Sequence, residues 1–258
     1  RQPLALTPPV GPKYPGGLSC ARTVQPVLDR YCISCHGLDK TEKKVNLIHQ
    51  PSKGWRATVP TALISKGKHY IGYLKYTRSE ASNNSRPYDY FAHANPVAHM
   101  LLKNHGKTNM DRQSRQRIFD WMDVNAQVYG DLFPNKVDQR LIDPAGLNAL
   151  RAHITSVFGE KIGKQPERAL INVAQVDESR ILMAPLATSA GGWGQMKPQW
   201  KSKKDAGYLK MLGLVNKCIV PVENENTAGW RPSLVQGGGE KWVIEARKAY
   251  RDSVKDKK

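Results

Sequence analysis

Residues 31–37 read Tyr-Cys-Ile-Ser-Cys-His-Gly. Two thiols separated by two residues, with an imidazole directly after the second, form a compact donor set. That spacing suits one porphyrin: each thiol reaches a vinyl group and the imidazole reaches the iron. The expectation is one covalent haem c, with thioether bonds at Cys32 and Cys35 and His36 as proximal ligand. A zinc site would need a second Cys or His pair at ligand spacing, and no second Cys-x-x-Cys occurs. A thioredoxin-type redox pair would need a strand–helix–strand setting, which is absent here.

The sixth iron position decides between two chemistries. A second strong protein ligand closes the iron and suits electron transfer, whereas an open position lets small molecules bind and react. The candidates are His49, His69, His93, His99, His105 and His153, with Met100 and Met110 among the methionines. Any single histidine is by default a surface or hydrogen-bonded residue. His105 stands out because "KNHGKTNMDRQ" places it in a tight loop between two expected helices, and Met110 shares that loop as the His/Met alternative.

Helices must hold these groups in place. "SCARTVQPVLDRYC" reads as a short amphipathic helix with Val24, Val27, Leu28 and Tyr31 on one side, running into the cysteine motif. "NPVAHMLLKNH" reads as a second, with Pro96 in its first turn. The clearest is "DRQSRQRIFDWMDVNAQ", with Asp111 as N-cap and Ile118, Trp121, Met122 and Asn125 along one face. It should pack against the helix that carries the cysteines. "DPAGLNALRAHITSVFG" begins with Asp143 as cap and Pro144 at the first position, and Gly159 stops it. Later helices are expected at "DAGYLKMLGLVN" and "GEKWVIEARKAYRDSV". Turn residues crowd the segment between His36 and Asp89.

The ordered succession "VQPVLDRYCISCHG", "SRPYDYFAHANPVAHMLLKNH", "MDRQSRQRIFDWMDVNAQVYG", "ESRILMAPLATSAGGWG", "DAGYLKMLGLV" and "GWRPS…RKAY" spans about Leu18 to Tyr250. It resembles a family of monohaem cytochrome c domains found in planctomycetes, related to the haem-bearing region of the hydrazine synthase alpha subunit. In that family Gly-His-x-x-Val-x-Leu-Ser precedes a helix ending Trp-Ile-Asp-x-Asn, followed by Tyr-Gly. The matching stretches here are "NHGKTNMD", "WMDVN" and "YG". The resemblance therefore implies His105 as distal ligand. It places Asp111 at the cap, with Trp121, Asp123 and Asn125 in the helix signature. Asn104 stands where the family has Gly, and Met110 where it has Leu. The reactive haem of hydrazine synthase has a tyrosine ligand at the position that here holds Lys40, and no propeller sequence precedes this motif. The resemblance thus implies an electron-transfer module, or a haem-bearing subunit of a larger oxidoreductase complex, rather than a stand-alone hydrazine-forming catalyst.

Bulk properties agree with that reading. The 258 residues include 21 Gly and 17 Pro, which suits helices joined by long ordered loops. The expected fold is mainly α. Residues 1–17 form a proline-rich entry or linker, 18–131 a cytochrome c-like haem domain, and 132–258 a helical and loop extension packed on it. No apolar run approaches the roughly 18 residues of a membrane span, and the polar opening does not read as a signal peptide. Haem attachment of this type implies a processed or excised chain in the periplasm or another extracytoplasmic space.

The net charge of +18 comes from scattered basic residues, without the setting of a nucleic-acid reader. It suits a solvated surface, with docking to an acidic redox partner as the sharper reading. Cys20 and Cys218 remain for a disulfide or for two buried thiols. Arg56, Arg78 and Arg86 are candidates for pairing with haem propionates. The Tyr70, Tyr73 and Tyr76 stripe reads as packing, as do Trp55, Trp193, Trp200, Trp230 and Trp242. Gly237–Gly239 lack the setting of a phosphate loop.

Overall fold

The computed structural model describes residues 18–38, 45–49, 91–124, 126–127 and 140–220. Over these residues the protein is mainly helical. The Ser19 hydroxyl accepts from the Arg22 amide and starts a wide π-helical turn, Cys20–Val24. This runs directly into α1, Gln25–Tyr31, with Pro26 in its first turn. Val24, Val27 and Leu28 are buried while Tyr31 is half-buried, as a 3–4 spacing on one helical face requires. Two short helices follow much later, α2 (Phe91–Ala94) and α3 (Pro96–Leu102). The buried Asn95 between them caps the second by accepting from the Val97 amide.

The long helix α4, Arg112–Asp123, begins at Asp111, whose carboxylate accepts from the Ser114 amide at 2.8 Å. Ile118, Trp121 and Met122 turn inward and pack with Val24, Val27, Leu28 and Ile33, and with Leu47 and Ile48. Trp121 is wholly buried, and its ring N–H is satisfied by the Gln127 carbonyl at 2.6 Å, which keeps its polar atom from opposing burial.

Residues 140–220 build a second core. Helix α5, Pro144–Phe158, packs along α9, Ala206–Lys217, around Leu150, Ile154, Met211 and Val215. Strands β1 (Leu141–Ile142) and β2 (Ile219–Val220) pair antiparallel at the one end of this helix pair where α5 starts and α9 finishes. Gly146 sits where the start of α5 meets the end of α9; a Cβ there would lie 2.7 Å from the Cys218 Cα. Between the two helices lie α6 (Glu160–Gly163), α7 (Glu167–Leu170) and α8 (Arg180–Met183). Each is four residues long, too short to show a helical period in the sequence. Trp200 lies edge-on to both Phe158 and Tyr208, in the packing role expected for it.

A polar seam joins the two cores. Asn172 donates to the Ala21 carbonyl at 2.9 Å, and Gln195 donates to the Arg30 carbonyl. Arg117 donates to the Thr23 and Arg22 carbonyls and pairs with Glu178 at 2.9 Å. Of the two alternatives the sequence left open for Cys20 and Cys218, a disulfide or two buried thiols, the structure has two buried thiols that are not joined to each other. The reason is their placement: Cys20 opens the first helix and packs in the first core, whereas Cys218 ends α9 in the second. The Cys218 thiol donates to the Val215 carbonyl, and burial pushes its pKa up to about 11. Among the described residues no helix is long and apolar enough to cross a membrane. The expected helix after Gly239, the Tyr70–Tyr76 stripe, Trp55, Trp230, Trp242, Gly237–Gly239 and the three candidate propionate arginines lie outside the described residues.

Asp29 of α1 is buried, with one oxygen accepting from the Gln25 side chain at 2.7 Å. Burial pushes its carboxyl pKa up to about 8, against the lowering effects of Gln25 and Arg180. The folded chain therefore holds the Asp29 proton more tightly than the unfolded chain does. The resulting stability is fully present below about pH 4 and is lost as pH rises toward 8. His49 works in the opposite sense below neutrality, since burial and Arg168 lower its pKa to about 4. Urea midpoints measured between pH 6.5 and 8.5 should isolate Asp29: D29N should lessen the fall in midpoint seen across that interval in the parent chain.

Candidate functional site

Cys32 follows the last turn of α1, its amide donating to the Leu28 carbonyl at 2.8 Å. The chain then folds into a tight turn, with the Cys35 and His36 amides both donating to the Cys32 carbonyl. Cys35 is exposed and Cys32 and His36 are half-buried, all three on this one turn. Burial raises the Cys32 thiol to a pKa of about 12, so this sulfur is protonated at neutral pH rather than poised as a thiolate. The returning strand of chain pins the turn: the Leu47 amide donates to the His36 carbonyl at 2.7 Å. Gly37 is required by this closure. Its φ is +152°, and a Cβ would meet Asn46 Oδ1 and Ile48 Cγ1 at 2.7 Å.

His105 reaches the same place from a different part of the chain. After α3 the backbone turns left-handed at Asn104 (φ 54°), Gly106 (φ 66°), Lys107 (φ 52°) and Asn109 (φ 49°). Four such residues in six positions are costly except where side chains compensate. Asn104 and Asn109 compensate here as a reciprocal pair. The Asn104 amide group donates to Asn109 Oδ1 at 3.0 Å, and the Asn109 backbone amide donates to Asn104 Oδ1 at 2.9 Å. The loop thus holds His105 outward, exposed to solvent, at a defined position between α3 and α4.

The rings of His36 and His105 stand 6.1 Å apart, centroid to centroid, with 21° between their planes. Rings in face contact would lie about 3.5–4 Å apart. Two imidazoles that bind one metal from opposite sides, each through a nitrogen at about 2 Å, lie about 6 Å apart by centroid. The donor set and the ring spacing therefore fit a haem c that Cys32, Cys35, His36 and His105 would hold. The His36 Nδ1 atom is buried and has no hydrogen-bond partner among the described residues.

The other candidates are elsewhere. Met110 is buried in the first core beside Ile118 and Trp121, and the His36 ring faces His105 instead. His93 and His99 are exposed on α2 and α3, Met100 is half-buried, and His153 belongs to the second helical layer on α5. His49 lies on the segment that returns past Leu47, with its pKa lowered to about 4 by burial and Arg168. His69 and Lys40 lie outside the described residues. The Asn104–Asn109 pair escaped the sequence reading, although two asparagines and a glycine within six residues are the composition that left-handed turns select.

Two substitutions test this geometry. Gly37→Ala should destabilise the chain by about 1–3 kcal/mol, because the new methyl group meets atoms on both sides of a positive-φ turn; urea unfolding measures it. Asn109→Ala should leave global stability within about 1 kcal/mol while amide exchange at residues 104–109 speeds up.

Comparisons with protein-family models, with curated proteins and with solved structures find no match to this chain.

Proposed function

We propose that the chain is a c-type monohaem cytochrome, with a cytochrome-like core over residues 18–131, that transfers single electrons through a six-coordinate haem. The observation that carries this reading is the 6.1 Å separation of the His36 and His105 rings, beside a Cys-x-x-Cys-His turn closed by the Cys35 and His36 amides donating to the Cys32 carbonyl. A bound haem c would supply one-electron iron chemistry at that point. The protein's own contribution is attachment, orientation and closure. Cys32 and Cys35 would hold the group covalently, His36 and His105 would ligate its iron, and the Leu47 amide fixes the His36 backbone. The apolar side chain of Leu102, three residues before His105, is 63% exposed, surface of the kind a porphyrin edge takes up.

Partner choice follows from charge. Lys103 and Lys107 flank His105 and both are exposed, on a chain of net charge +18. An acidic redox protein is the partner such a face attracts. The chemistry of haem attachment puts the protein in the periplasm or another extracytoplasmic space, alone or as a subunit of a larger oxidoreductase resembling hydrazine synthase. The exposure of His105 on a strained loop supports a second reading, in which this ligand leaves and a small nitrogenous, oxygen or peroxide species takes its place.

Mass spectrometry and visible spectra decide the first point: one covalent haem and a low-spin spectrum are expected, with no carbon monoxide adduct on reduction. His105→Ala should convert the iron to high spin and allow the adduct to form. High-spin iron that binds carbon monoxide in the parent protein would favour the exchangeable-ligand reading. An unchanged spectrum in H105A would remove His105 as ligand.

A further inference from the structure

Asp29 has a place in the fold that its structural duties do not explain. It is 2% exposed and lies three residues before Cys32, on the helix that delivers the attachment turn. Its Oδ1 accepts from the Gln25 side chain at 2.7 Å, and the same Gln25 nitrogen donates to the Leu47 carbonyl at 3.0 Å. The Leu47 amide in turn donates to the His36 carbonyl at 2.7 Å. A short hydrogen-bonded path therefore runs from the carboxyl to the backbone of His36. An asparagine would accept from Gln25 equally well, so packing alone does not call for an acid.

We propose that Asp29 is a redox-linked proton site, taking one proton from solvent as one electron reaches a haem iron held at Cys32, Cys35 and His36. The electron comes from a redox partner protein, and the iron passes from ferric to ferrous. At Asp29 a carboxylate oxygen gains an O–H bond, the proton being released by solvent water. Oxidation reverses both changes. This inference rests on the haem reading and goes beyond it, since simple electron transfer requires no proton.

The charge logic sets the sign. Ferric iron carries one more positive charge than ferrous, so the oxidised protein favours the Asp29 carboxylate and the reduced protein the neutral acid. The groups facing Asp29 leave room for this exchange. From α8, Arg180 attracts the carboxylate, but its own N–H groups are bound to Gln165 and Gln195. From the preceding 3₁₀ turn, Glu178 repels it, and Glu178 is paired with Arg117 of α4. On α1 itself, Arg30 is engaged by Asp111 at the surface. Among the described residues no ion pair neutralises Asp29, and its burial favours the protonated form near neutrality.

The test uses the haem-loaded full chain. Mass and visible spectra are taken first; absence of haem would overturn the haem reading and this inference together. With haem present, the midpoint potential should fall as pH rises from neutral to mildly alkaline values, because reduction there takes up a proton. In D29N the potential should be flat across that window. A flat parent profile, or an equal slope in D29N, would overturn this inference and leave the haem reading standing. The parent protein alone gives an independent readout. Its reduced-minus-oxidised infrared spectrum should gain a protonated-carboxyl band, and lack of that band would overturn the proposal even if D29N failed to fold.

Discussion

Tyr31 donates its hydroxyl to Asp111 at 2.7 Å, and the arrangement of the candidate site depends on that contact. Tyr31 precedes the first motif cysteine; Asp111 caps the helix that follows the His105 loop. The same carboxylate accepts from the Ser114 amide and hydroxyl and from Arg30. Despite partial burial these donors hold its pKa below the usual carboxylate range. One side chain thus terminates one loop, starts one helix and ties both to the cysteine turn. Separated by 80 positions in the chain, the two segments could meet in many ways. This cap, with the packing of Trp121 and Ile118 on Val24 and Leu28, selects one.

The polar groups are arranged around that contact with an economy typical of sites that hold a fixed geometry. Asn104 and Asn109 satisfy each other and so stabilise four left-handed residues. Gln25 serves both Asp29 and Leu47, and Leu47 serves His36. The second helical layer reaches the same helix through Gln195, Asn172 and the Arg117–Glu178 pair. Arg117 spans the boundary with several donors at once, which only a guanidinium does well. The layer of residues 140–220 thereby buttresses α1 and contributes the charges that Asp29 experiences.

Much of the scaffold was readable before any coordinates. Asp111 and Asp143 each announce a helix, because a short acidic side chain at a boundary has one favourable use. The buried faces of α1 and α4 follow from spacing alone. Short helices such as Arg180–Met183 were not readable, since four residues carry no period. Asp29 was not readable either: in the sequence it is an ordinary polar residue on a short helix, and only the arrival of Leu47 and the second layer buries it. Whether Cys20 and Cys218 pair was not readable for a related reason. Cysteine count says nothing about which core each thiol enters, and here each packs in its own.

By itself the sequence determined the local chemistry: a turn with two thiols and an imidazole, capped helices around it, and a second histidine in a loop. These are consequences of neighbouring residues, which act over a few ångströms of chain. Tertiary structure alone brought the His105 ring to 6.1 Å from His36, because that depends on how α4 docks against α1. It also decided that an acid is sealed beside the attachment turn. Both outcomes arise from packing between segments distant in sequence, where shape and burial, not residue order, set the energy.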